Sequence, residues 1–199
     1  MPGANGVGPP PDFVESIVPL LHAHFGTPLL AAADIVTLPA QAVLSFVVVG
    51  AVAVELHRRG RTEAAALWLS ALVLATAIEV MTKHALVRPP LYRDGVHIAA
   101  FDSSWPSGHA ARAAIIAGAL AAAWPRLRGA VALWLAAAIV LLELAGIHTP
   151  TDLAGGLLLA VLLGSAALET ERSGALRRRA VARLGSGVAL RRPAAPRRP

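Results

Sequence analysis

Three short segments of this 199-residue chain gather the side chains that phosphoryl chemistry uses. They are Lys83 followed by Arg88-Pro89, then Trp105-Pro106-Ser107-Gly108-His109, then His148-Thr149-Pro150-Thr151-Asp152. Lys83 and Arg88 offer fixed positive charge and several donors to a phosphoryl group. Ser107 and Gly108 fall where a helix is expected to begin, and the free N–H groups and dipole of a helix start favour an anion. His109 and His148 can serve as proton donor and nucleophile, because an imidazole titrates near neutrality. Asp152 follows His148 by one helical turn, close enough to orient the ring and stabilise its charged form. No set of carboxylates suited to Mg²⁺ is evident, and no metal or other cofactor is expected. Together these groups are equipped for metal-independent phosphoryl transfer through a phosphohistidine.

Each segment sits at the end of a long apolar block. The chain is 56% hydrophobic and only 15% charged, against about 25% charged in an ordinary soluble domain. Its mean hydropathy is +0.61. Ala, Leu and Val come in long runs rather than short alternations, which predicts helices solvated by lipid. The expected fold is all-α: a polytopic transmembrane bundle of about five spanning helices, with an N-terminal interfacial helix within residues 12–25. The spans are read at 29–56, 62–84, 107–124, 129–147 and 151–168. Pro39 is expected to kink the first or to mark its true start. The short connection before the fifth predicts that the last two are antiparallel neighbours. A single membrane domain, 29–170, is thus preceded by segment 1–28, in which no signal peptide is read, and followed by a basic tail, 171–199. The middle of that tail is expected to lie on the membrane as an amphipathic helix, and its Pro/Arg end to be disordered. Cysteine is absent, so disulfides and thiolate metal sites are excluded.

The net charge of +6 is distributed as a topology signal rather than as a nucleic-acid groove. Nine of the 18 Lys and Arg residues follow residue 170, and others cluster at 57–61 and 125–128. With five spans these basic stretches share one side, which marks the cytoplasm. A multi-pass protein of the cell membrane is expected, with its C-terminus cytoplasmic and the three reactive segments on the extracytoplasmic face. Lys83, Arg88 and Arg93 depart from that charge rule, so a requirement other than topology must place cations there.

The three segments, in this order and spacing, resemble the type 2 phosphatidic-acid phosphatase superfamily, which includes lipid phosphate phosphatases, bacterial acid phosphatases and vanadium haloperoxidases. The matching residues are Lys83 with Arg88-Pro89, Pro106-Ser107-Gly108-His109, and His148 with Asp152-Leu153-Ala154-Gly155-Gly156, and the likeness covers about residues 30–165. The resemblance implies that His148 is the nucleophile, Asp152 its orienting partner and His109 the general acid. It implies a phosphate cradle of Lys83, Arg88, Ser107 and the Gly108 backbone. The implied function is hydrolysis of a membrane lipid phosphate or diphosphate, such as phosphatidic acid, phosphatidylglycerol phosphate or a polyprenyl diphosphate.

Two departures from the family pattern stand out. Four residues, not six, separate Lys83 from Arg88, with Arg93 as a possible substitute. Leu141 and Leu142 occupy the positions where a Ser-Arg pair precedes the third-motif histidine. Arg112, one turn beyond His109, is a candidate replacement for that arginine, since a cation inside an apolar helix is costly and usually functional. The structural alternative for Arg112 is an ion pair with Glu143 on the neighbouring span. Glu79, one turn before Lys83, is placed to pair with it. Asp152 also fits the third position of a capping box begun by Thr149. Trp68, Trp105, Trp124 and Trp134 read as interface anchors or packing. A lipid phosphotransferase and a catalytically degenerate lipid-binding or scaffold member of the same fold are the rival functions. No oligomeric state is readable.

Overall fold

The chain forms a helical bundle in a computed structural model, which describes residues 28–86, 92–93, 96–97, 105–145 and 147–189. The interfacial helix expected within 12–25, Arg88 and the Pro/Arg end of the tail lie outside the described residues. Helix α1 (Pro28–Ala40) closes with a 3-10 turn at Leu38–Ala40, and α2 (Ala42–Arg58) leaves it at 45°. Pro39 has no N–H to donate, so the backbone ladder breaks there. The kink expected at this proline is present. Carbonyls freed at such a break find no water in a bilayer and need protein donors. Two are supplied: Trp134 Nε1 donates to Val36 O at 2.9 Å, and Arg112 Nε donates to Ala40 O at 2.8 Å.

Helix α3 (Thr62–Ala85) follows a tight turn in which Gly60 adopts φ +74°. A two-residue antiparallel ladder, β1 (Tyr92–Arg93) with β2 (Val96–His97), falls in the following loop. Helix α4 (Gly108–Ala123) is built almost wholly of Ala, Gly and Ile, and it touches all the other helices. Its small side chains let neighbouring backbones approach closely. Trp68 of α3 shows why this matters. Its ring is 2% exposed and lies on Gly118, where a Cβ would come within 2.6 Å of it. Trp68 is therefore packing and not an interface anchor. At the far end of α4, Arg59 Nη1 and Arg61 Nη1 donate to the carbonyls of Ala123 and Ala122 at 2.6 and 2.8 Å, satisfying acceptors that a helix end leaves open. Arg59 also stacks over Trp124, 5.3 Å from its ring centre.

Helix α5 (Arg128–Leu144) packs chiefly on α4, and its contact with α6 is sparse. The two helices, expected to be antiparallel neighbours, share a cluster of Ala110, Leu142 and Leu153, and each packs more extensively on α4 than on the other. Helix α6 (Pro150–Ala189) runs for 40 residues. The helix expected to lie separately in the tail is instead a continuation of α6. Ala, Leu and Arg are strong helix formers, and the stretch contains no proline to stop it.

Among the described residues three helices, Thr62–Ala85, Pro125–Leu144 and Pro150–Thr170, are long and apolar enough to cross a membrane, and α1 with α2 would make a fourth as one bent span. Helices of this length and hydropathy are those of a membrane protein. Helix α4 has 16 residues and is shorter than the roughly 20 that a full span requires.

Candidate active site

The C-terminal part of α3, the N-terminus of α4, the start of α6 and the break between α1 and α2 come together. Their meeting is written in the backbone. Ser107 N donates to Asp152 O at 2.9 Å, joining the start of α4 to the first turn of α6. Gly155 and Gly156 make this approach feasible. A Cβ on Gly156 would run into Ser107 O, and one on Gly155 would strike the Trp105 indole.

Ser107 is the N-cap of α4. Its Oγ accepts from Ala110 N at 3.2 Å, as a serine at this position is expected to do. The residue is fully buried. His109 follows in the first turn, and its ring centre lies 6.2 Å from that of His148 at an angle of 52°. The two histidines are thus brought together from the start of α4 and the segment that leads into α6.

His148 sits just before α6. Its Nδ1 is 4.0 Å from Asp152 Oδ2 and has no hydrogen-bond partner, although it is buried. Asp152 is fully buried. It closes a reciprocal capping box with Thr149: Thr149 N donates to Asp152 Oδ2 at 3.1 Å, and Asp152 N donates to Thr149 Oγ1 at 3.3 Å. Burial pushes the His148 imidazole down to about 4, against the partial opposing effect of Asp152 and with help from His109 and Lys83. A ring held neutral at ordinary pH keeps a lone pair available.

The cations lie on the α3 side. Lys83 Nζ donates to Glu79 Oε1 at 2.7 Å, the pairing expected from their spacing. Arg112 Nη1 donates to Glu79 Oε2, so one carboxylate holds both cations. The structure gives Arg112 the carboxylate of Glu79 on α3 and the carbonyl of Ala40. Gly108 lies directly over this carboxylate, which fills the space a Cβ would take. Glu79 and Arg112 are both buried, while Lys83 is the accessible member, with 25% of its side chain exposed. Lys83, Ser107, Gly108, His109, Arg112, His148 and Asp152 therefore belong to one end of the bundle. The second partner of Glu79 and the involvement of Ala40 O carried no signal in the sequence, because both depend on how α3 and α4 are rotated against each other.

No protein-family model matches the chain, and no curated protein or solved structure matches it either.

Proposed function

We propose that this protein is a membrane phosphatase that hydrolyses a lipid phosphate or diphosphate, with five spans and the site facing the extracytoplasmic side. The observation that carries the reading is the approach of His148 and His109, 6.2 Å apart, with Asp152 beside one and the Lys83 ammonium in the same cluster. In this reading His148 Nε2 attacks phosphorus in line and the bond to the lipid oxygen breaks. His109 delivers a proton to that leaving oxygen. Water then attacks the phosphohistidine, giving up its proton to His109, and phosphate leaves. Catalysis of this kind rests on positioning and on charge that meets the phosphoryl oxygens. Lys83 is the described cation best exposed for that task, and Arg88 joins it by sequence.

Phosphate release by the purified protein from a panel of lipid phosphates in mixed micelles tests this, with His148→Ala and His109→Ala as controls. Release by the wild type that either substitution lowers by about a thousandfold supports it. A second reading, a lipid-binding member without turnover, draws on the 4.0 Å gap between His148 and Asp152 and on the commitment of Arg112 to Glu79. Lipid binding with no release above the His148→Ala level for any substrate would establish it.

A further inference from the structure

Glu79 has no part in the reaction proposed above, yet it joins two cations of the cluster. Each of its oxygens holds a cation: Oε1 takes Lys83 and Oε2 takes Arg112. The carboxylate also occupies the space beneath Gly108, in the first turn of α4. Backbone amides and the dipole at a helix start favour negative charge there. The protein's own carboxylate therefore stands next to the position where a phosphoryl group would be drawn. It keeps together two cations that would otherwise repel, and the trio carries one net positive charge. Lys83, with 25% of its side chain exposed against 7% for Arg112 and 8% for Glu79, is the member that can turn toward a ligand.

We infer that Glu79 is a positioning residue of the phosphate site: it bridges Lys83 and Arg112, fixes the Lys83 ammonium for the phosphoryl group, and limits the positive charge that the site presents. The inference rests on the phosphatase reading. Its consequence is a split that loss of structure would not give. Removing the carboxylate charge strengthens the attraction for an anion, since one opposing charge a few ångströms away is gone. It also frees Lys83 from its fixed place, which slows the chemical step. Affinity and turnover then move in opposite senses.

The experiment uses the full-length protein in detergent, as wild type, Glu79→Gln, Glu79→Asp and the double variant Glu79→Gln/Arg112→Gln. Binding of inorganic phosphate is measured by calorimetry, kcat on a lipid phosphate in micelles, and folding by thermal melt. Glu79→Gln is expected to bind phosphate about three- to tenfold tighter and to lose about tenfold or more in kcat. Glu79→Asp is expected to recover part of kcat. The double variant restores the charge count, so its phosphate affinity returns to the wild-type value while kcat stays low. If Glu79→Gln does not fold, the double variant, a neutral pair, decides the matter: low kcat with wild-type phosphate affinity supports the inference, and wild-type kcat overturns it. A folded Glu79→Gln with unchanged affinity and kcat, or with both reduced, overturns the inference and leaves the phosphatase reading standing. A wild-type protein that neither binds phosphate nor releases it overturns both.

Discussion

Asp152 Oδ2 faces two groups at once, accepting the Thr149 amide at 3.1 Å and standing 4.0 Å from His148 Nδ1. The first contact starts helix α6, and the second is the only link between a carboxylate and the proposed nucleophile that the described residues show. The two roles are separable. Thr149→Ala removes the hydroxyl half of the capping box and leaves the backbone amide on Asp152. It is expected to cost about 1 kcal/mol of stability with little loss of activity. Asp152→Asn preserves shape but removes the charge that steadies a cationic ring, and should lower kcat by about a hundredfold or more. Thermal melts and phosphate release on the same preparations check this pair, and equal losses of activity in both variants would contradict the separation.

The pH profile follows from the buried imidazole. His148 is pushed down to about 4 from its ordinary value of 6.5, chiefly by burial. In the proposed reaction the neutral ring attacks, so kcat/KM should show no acid limb from His148 near 6.5 and should fall only as the pH approaches about 4. Stability responds between the same two values. Between 6.5 and 4 the unfolded chain takes up a proton that folded His148 refuses. Stability should therefore decline as the pH drops through that window and level off below it. His148→Ala should remove this part of the slope, measured as melting temperature against pH.

Glycine substitutions rank the close approaches. Gly156→Ala places a methyl group against the Ser107 carbonyl, which is backbone and cannot step aside. Gly108→Ala displaces the Glu79 carboxylate, which two cations hold. Gly50, within α2, meets nothing within 4 Å. Gly156→Ala is expected to be the most destabilising, Gly108→Ala to cost both stability and activity, and Gly50→Ala to gain about 0.5–1 kcal/mol from helix propensity. Melting temperatures of the three variants give the order.

Sidedness can be read directly because the chain contains no cysteine. Thr151→Cys, at the site end, should react with a membrane-impermeant maleimide on intact cells. Arg126→Cys, at the opposite end of α4, should react only after permeabilisation. The reverse pattern would invert the proposed orientation.

Much of this arrangement was legible in the residues themselves. Ser107 and Thr149 announce helix starts by type, Pro39 announces a break, and Glu79 and Lys83 are neighbours on any α-helix. What could not be read is rotation and packing between helices. The ion pair expected as the alternative for Arg112 was with Glu143, and only the angular setting of α3 against α4 puts Glu79 beneath it. The short α5–α6 link fixed chain direction but not the extent of contact, because the small residues of α4 draw both helices to it. The composition change after Leu168 looked like the end of a helix. It is the end of the apolar stretch alone, since Ala- and Arg-rich sequence continues a helix as readily as Leu does.

The bend between α1 and α2 and the charge of the site belong to one equilibrium. Ala40 O, left over at the break, is held by Arg112 Nε, while the same guanidinium holds Glu79 through Nη1. Straightening α1 into α2 would return Ala40 O to a backbone amide four residues on and release that guanidinium to its carboxylate partner alone. Whatever presses on the first helix is thereby connected to the charged trio that Lys83 shares.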